Sequence, residues 1–179
     1  MSTPTISIPG YVAGTWAIDP VHSDVSFTVR HLGVSKVRGQ FRSFEGQIVT
    51  AENPLESAVT ATIDASSIDT RNEQRDAHVR NEDFLDVATF PELSFASTGM
   101  RVDGDDFLLD GDLTLHGVTK PVTLELEING FADGLDGNPV VGFSATTEIS
   151  RKEFGMSGAQ GVVGDKIKIL LEIEAAREA

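Results

Sequence analysis

The sequence predicts an all-β protein: an eight-stranded antiparallel barrel with one short helical segment. Three observations carry this. Apolar and polar residues alternate along most of the chain, the period-2 mark of strands with one buried face. These runs are joined by turn-sized links rich in Gly, Asp and Asn, so neighbouring strands are antiparallel. The runs are also long, and a closed barrel removes the edges that a sandwich would leave. Residues 67–86 alone break the alternation.

Residues 1–13 hold Pro4, Pro9 and Gly10 among small polar residues and are expected to form a flexible arm, leaving 14–179 as the barrel domain. Trp16 and Ile18 open the first strand. The second runs from about Val21 to Leu32, with Val21, Val25, Phe27 and Val29 on one face and Asp24, Ser26, Thr28 and Arg30 on the other. Gly33 then turns the chain. Val37, Gly39 and Phe41 share one parity, whereas Phe44 and Ile48 fall on the other, so a bulge is expected near Ser43. Val59, Ala61 and Ile63 alternate with threonines in the next strand.

Strands resume at Leu93 and Phe95. After the turn Asp103-Gly104-Asp105-Asp106 come Phe107, Leu109, Leu113 and Leu115, with Asp110, Asp112, Thr114 and His116 on the opposite face. Val122, Leu124, Leu126 and Ile128 follow, then the turn-rich DGLDGNP at 133–139. Val141, Phe143, Ala145 and Ile149 form one further run, and Ile167, Ile169, Leu171 and Ile173 the last.

In the exception, SIDTRNEQRDAHVRNEDFLD, Thr70 and Glu73 have capping-box spacing, so a helix is expected to start at Thr70. Arg71, Arg75 and His78 would share one face of it. Its apolar stripe is thin, so it should dock through polar contacts, anchored by Phe84 and Leu85.

Composition narrows the function. The chain has 179 residues, 40% hydrophobic and 23% charged, as for one ordinary globular domain. Its net charge of −14 repels nucleic acid and anionic membrane surfaces. The absence of cysteine excludes disulfides, thiolate metal sites and cysteine nucleophiles. MSTPTISIPGYVAGTW has neither a basic n-region nor a continuous apolar h-region, so the expectation is no secretory signal, no membrane span and a cytoplasmic location.

Among polar candidates, His22 and His31 occupy opposite parities of one strand, with Cα atoms roughly 30 Å apart, and cannot share a metal. His22 and His116 read as structural groups of turns or cross-strand hydrogen bonds. His31 is either a polar group inside a cavity or a core histidine bonded to a carbonyl. Arg71, Arg75 and His78 either receive an anionic group at the barrel mouth or, with Asp76, make ion pairs that pin the helix. Arg151 follows Ile149 in parity and should point inward at a strand end. The motifs Asp103-Gly-Asp-Asp and Asp110-Gly-Asp lack EF-hand spacing and read as hairpin turns and a solvated face. No nucleophile elbow, zinc-protease motif or phosphate loop occurs, and no enzyme, metal or cofactor is expected.

The aromatic supply is lopsided: ten phenylalanines against one tyrosine and one tryptophan. Phe27, Phe41, Phe95, Phe107 and Phe143 fall on inward parities, and Val29 and Leu113 join them. An eight-stranded barrel is just wide enough to be filled by side chains or to hold one small ligand. Such walls suit an apolar guest and a packed core equally.

Gly14-Thr15-Trp16 is similar to the G-x-W opening of lipocalins. Longer agreement runs through IDPVHSDVSFTVRHLGVSKVRGQF (18–41), SSIDTRNEQRDAHVRNEDFLDVATFPELSF (66–95), GDLTLHGVTKPVTLELEI (111–128) and GFSATTEISRKEFG (142–155). On these segments the sequence resembles the YceI-like family of polyisoprenoid-binding proteins. The resemblance implies a lipocalin-like, eight-stranded antiparallel barrel around an elongated apolar tunnel. It also implies isoprenoid guests such as prenyl diphosphates and quinones, no assigned catalysis, and homodimers in some members.

The expected ligand-binding set is therefore Phe27, Val29, Phe41, Phe84, Phe95, Phe107, Leu113 and Phe143 for the tail, with Arg75, His78, His31 and Arg151 for the head group. The expected function is to carry, store or sequester an isoprenoid lipid without stable membrane insertion. The rivals are a fatty acid or fatty amide guest, an enzyme using His31 or His78 as base on the bound lipid, and a barrel filled by its own side chains.

Overall fold

The computed structural model describes residues 7–159 and 161–178. The strands are β1 (Gly14–Ile18), β2 (Asp24–His31), β3 (Ser35–Phe41), β4 (Phe44–Thr50), β5 (Ala58–Asp64), β6 (Ile68–Asp69), β7 (Glu92–Asp103), β8 (Asp106–Leu115), β9 (Val118–Asp133), β10 (Pro139–Ser150) and β11 (Val163–Arg177), with one helix, α1 (Glu73–Arg80), between β6 and β7. All pairings are antiparallel. β11 pairs β2 through its first half and β1 through its end, while β3 pairs β2 and β4 pairs β1. β1 and β2 thus act as one bent stave, and β3 and β4 as another. With β5 and β7 to β11 they form an eight-stave barrel, closed by β1 against β11.

The bends have local causes. Pro20 removes a ladder donor between β1 and β2, and Asp19 closes the corner by accepting the Val21 N–H at 2.9 Å. The second strand accordingly starts at Asp24, later than Val21. The expected bulge near Ser43 is a bend at Arg42–Ser43 between β3 and β4. It shifts the phase so that Phe41 and Ile48 both remain buried.

Three hairpin turns use left-handed residues: Leu32 and Gly33 (φ 54° and 71°), Gly104 (63°), and His116 with Gly117 (56° and 72°). These are the primed turns that match strand twist. Leu32 is an unusual occupant, since a bulky side chain there costs roughly 1–2 kcal/mol. Asp103-Gly-Asp-Asp forms a turn as expected. Asp110 and Asp112 lie mid-strand in β8, not in a turn, and flank Gly111.

The helix starts later than the capping box predicts. Arg71 has φ 64°, which ends any helix through it, and Asn72 is the cap, its side chain accepting the Arg75 N–H at 2.9 Å. Thr70 is instead buried, 3% exposed, and donates its N–H (2.8 Å) and its hydroxyl to Asp76. Arg71 therefore shares no helical face with Arg75 and His78.

The buried residues form two clusters along the barrel, bridged by the half-buried Val59, Phe95, Phe143 and Leu171. Trp16, 0% exposed, donates its indole N–H to Thr50 Oγ1 at 2.8 Å. In the described part of the expected arm, Ile8, Tyr11 and Val12 pack on the barrel, while Ser7, Pro9 and Gly10 are exposed. Ile8 and Tyr11 close one end, the Tyr11 ring meets Phe131 edge-on at 5.3 Å, and its hydroxyl donates to the Ala51 carbonyl. Residues 1–6 lie outside the described part. Among the described residues no helix is long and apolar enough to cross a membrane.

Candidate functional site

A row of three cavities follows the barrel axis. The largest, about 280 Å³, opens at the end carrying α1. Phe27, Phe41, Leu93, Leu115 and Ile169 separate it from a mid-barrel cavity of about 130 Å³. Val59, Leu109, Leu126 and Phe143 lead on to a third of about 60 Å³ beneath Ile8 and Tyr11. The mouth cavity alone is close to the lower bound for small-molecule sites, ~300 Å³.

The cavities keep their width because large rings lie flat against the wall. Phe27 sits opposite Gly39 in the β2–β3 ladder, and a Cβ on Gly39 would stand 2.4 Å from the Phe27 ring. Phe95 likewise lies over Gly111, where a Cβ would meet its ring at 2.3 Å. Each glycine gives an aromatic ring a place on the sheet, so the ring covers backbone instead of crossing the axis. The glycines supply this geometry, and the phenylalanine count alone did not reveal it.

The expected tail residues fall into three groups. Phe27, Val29, Phe41 and Phe84 line the mouth cavity. Phe95, Leu113 and Phe143 line the mid-barrel cavity. Phe107 does not line any of the three; it packs with Leu109, Leu124, Leu126 and Ala145 in the wall between β8, β9 and β10. Parity puts it inward, but neighbouring side chains fill the space in front of it. Sequence reasoning missed Met156, Ala159 and Val162, which line the mouth from an irregular loop, and Arg30 at the rim. Ile167 and Ile169 carried a strand pattern but nothing that set them apart as lining residues.

Among the described residues the polar surface of these cavities gathers at the mouth; Ser26, Glu45 and Thr147 of the mid-barrel lining and Tyr11, Thr50 and Ser57 of the third turn almost none of theirs inward. His31 is half-buried, and among the described residues its ring has no hydrogen-bond partner. His78 is exposed, with Nε2 3.1 Å from Asp83 Oδ2 and its ring edge-on to Phe84 at 5.0 Å. Arg75 and Asp76 do not pair with each other; both hold Thr70. Arg75 Nε–H donates to Thr70 Oγ1 at 2.8 Å and a second guanidinium N–H to its carbonyl. This clamp ties the start of α1 to the barrel rim, and the rest of the Arg75 fork faces the opening.

Arg151 is buried, 2% exposed. It donates to the carbonyls of Gly164 (3.0 Å), Met156 (3.2 Å) and Val163 (3.0 Å), and its guanidinium lies 5.7 Å from the Phe84 ring centre. Burial pushes its pKa below the usual arginine value, with Asp165 pulling it back up. Three of five donors thus fasten the loop that walls the mouth, and the charge faces the cavity.

The two remaining histidines are structural. His116 Nδ1 is 3.0 Å from the Phe154 carbonyl. His22 lies on the outer wall, Nδ1 2.7 Å from Asp19 Oδ2 and 3.4 Å from Glu174 Oε2. Among the described residues this is the one trio whose ligand atoms lie within 4.8 Å of one another. The contact with Asp19, then Glu174, raises the His22 pKa, so it serves as an ion pair fastening the β1–β2 corner to β11.

Comparison with known proteins fits this geometry. The description "YceI-like domain" matches residues 16–175. The chain belongs to the YceI-like family. Protein YceI of Escherichia coli O17:K52:H18 (strain UMN026 / ExPEC) is 38% identical over 170 residues, covering 93% of this chain and 89% of that relative. The YceI protein of Campylobacter jejuni superposes with a TM-score of 0.74 at 30% identity, covering 84% of this chain and 90% of that one. A polyisoprenoid binding domain from Saccharophagus degradans shares the YceI-like fold at a TM-score of 0.72 and 16% identity, covering 93% of this chain and 100% of that one.

Proposed function

We propose that the protein binds a long apolar lipid of isoprenoid type, its tail threaded past Phe27 and Phe41 into the mid-barrel and its head group at the α1 end. The observation that carries this reading is the distribution of polarity along one axis. The mid-barrel and third cavities present almost entirely apolar surface, and among the described residues the cationic and imidazole groups able to meet a head group stand at the mouth. Each five-carbon unit that leaves water contributes about 4 kcal/mol before ordering costs. The tail therefore supplies affinity, and Arg75, His78, His31 and Arg151 supply head-group preference. The polyisoprenoid binding named for the Saccharophagus degradans neighbour supports the isoprenoid class. The protein then serves as a carrier or store, with Arg75 and His78 keeping the rim at fixed span through Thr70 and Asp83.

The test is Gly39→Val. The added side chain drives the Phe27 ring off the wall into the junction of the two larger cavities. Titration with prenols of increasing length is expected to show long tails bound at least tenfold more weakly, with the shortest little affected. Equal loss at every length, or none, would remove the axial tunnel as the binding site. A fatty acid bound in preference to every prenol would change the guest class.

A further inference from the structure

We propose that the open end of the barrel docks peripherally on an anionic lipid bilayer, through the tip of the β2–β3 hairpin and the loop before β11. The tip exposes Leu32 (57%) and Val34 (85%), and Val162 (42%) stands beside them, since the Leu32 N–H donates to the Val162 carbonyl at 2.7 Å. Leu32 is also held left-handed, at φ 54°. Asn or Gly would suit that conformation better, and an exposed leucine side chain returns nothing to the fold.

Around this tip the charge of the molecule reverses. Residues 28–38 and 151–168 together hold seven of the fourteen lysines and arginines and two of the twenty-eight acids. Arg30 and Lys36 are direct cross-strand partners, with Arg38 two residues further along β3, and Lys168 is paired with Thr28 on neighbouring β11. Like charges opposite one another oppose sheet formation. Among the described residues no carboxylate makes an ion pair with Arg30, Lys36, Arg38, Lys152, Lys166 or Lys168; the acids of this corner are Glu153, Asp165 and Glu148, the last opposite Lys168. On the α1 side of the mouth, residues 71–83 hold Arg71, Arg75 and Arg80 against Glu73, Asp76, Glu82 and Asp83, so that rim has no excess of cations.

Cations around a small apolar tip complement anionic head groups over an apolar interior. Three side chains are too few for a stable protein interface, which needs about 1,000 Å². The net charge of −14 does not forbid docking at this end. At about 0.1 M salt a field decays over about 10 Å, whereas the acidic loops of the far end lie about 30 Å away, a barrel length. Arg30 and Val162 also line the mouth cavity, so docking brings the opening to the bilayer. That consequence rests on the lipid-binding reading; the docking does not.

The test is co-sedimentation with vesicles of phosphatidylcholine alone or with about a third phosphatidylglycerol, with the bound-lipid content of each protein measured in parallel by native mass spectrometry. The protein is expected to sediment only with the anionic vesicles and to be released at about 0.5 M salt. Lys36→Glu/Arg38→Glu and, separately, Leu32→Ser/Val34→Ser should each weaken binding about tenfold or more while lipid content stays unchanged and melting temperature does not fall. No sedimentation with anionic vesicles, or sedimentation of both double variants equal to that of the parent protein, overturns the proposal. Sedimentation of a protein that carries and accepts no lipid would keep docking and remove the tunnel reading instead.

Discussion

The two ends of this barrel are made from the same materials and behave as opposites. At the closed end, residues 8–12 lie across the opening, Tyr11 and Trp16 meet Phe131 from two sides, and the cavity is only about 60 Å³. At the open end a clamp of Thr70, Asp76 and Arg75 and a buried Arg151 hold a rim around about 280 Å³. Both ends expose apolar residues, Val102 and Leu135 at one and Leu32, Val34 and Val162 at the other. The first pair sits among Asp103, Asp105, Asp133 and Asp136, the second set among Arg30, Lys36 and Lys152. The difference teaches that aromatic packing closes a barrel end, whereas polar fastening of loops keeps one open, because hydrogen bonds can hold a rim at fixed span without filling it.

Arg151→Ala is the substitution expected to disturb the contrast most. It leaves three carbonyls without their donors and frees the loop 155–163. The loss should be about 3 kcal/mol, a fall in melting temperature of roughly 6–12 °C by calorimetry, with weaker lipid binding. Trp16→Phe at the closed end loses the bond to Thr50 and some buried volume, about 2 kcal/mol, and chemical denaturation should show it with lipid affinity unchanged. A Trp16 variant that altered affinity as much as the Arg151 variant would erase the distinction between the ends.

Smaller effects sharpen it. Leu32→Asn relieves the left-handed leucine and should raise stability by about 0.5–1 kcal/mol in denaturant, which would show that Leu32 costs the fold stability at this turn. At the β1–β2 corner, the raised pKa of His22 means that its pairing with Asp19 supports the fold fully below pH 6.5 and is lost as pH rises through the higher folded value. An NMR titration should place the His22 midpoint above 6.5 and, on Asp19→Asn, move it down. The pair is solvent-exposed, so melting temperature should change little across that range.

The barrel was legible because period-2 alternation writes the inward face of each strand into the sequence. Gly39 and Phe41 shared a parity, and the phase slip before Phe44 marked a real bend. Parity, however, says which way a side chain points and not what stands in front of it. Phe107 and Phe95 carry the same signal, yet one packs into wall and the other lines a cavity, because the Phe95 ring reaches diagonally across the ladder to lie over Gly111. That pairing requires register, which no single strand states. The mouth was the least legible part. Thr70 and Glu73 matched a cap, but the left-handed Arg71 between them moved the helix start to Asn72 and turned Thr70 into the post that Arg75 and Asp76 share. Met156, Ala159 and Val162 lie in an irregular loop with no period to read, and Arg151 holds that loop by contacts to carbonyls that have no sequence signature.

The central claim is that the axial tunnel carries an apolar lipid. Organic extraction of the purified protein with mass spectrometry, alongside native mass spectrometry of the intact complex, tests it most directly. The expected result is one isoprenoid per chain, absent or shortened in Gly39→Val. An empty protein that also refuses added quinones and prenyl diphosphates would contradict it, and the cavities would then be gaps in a packed core.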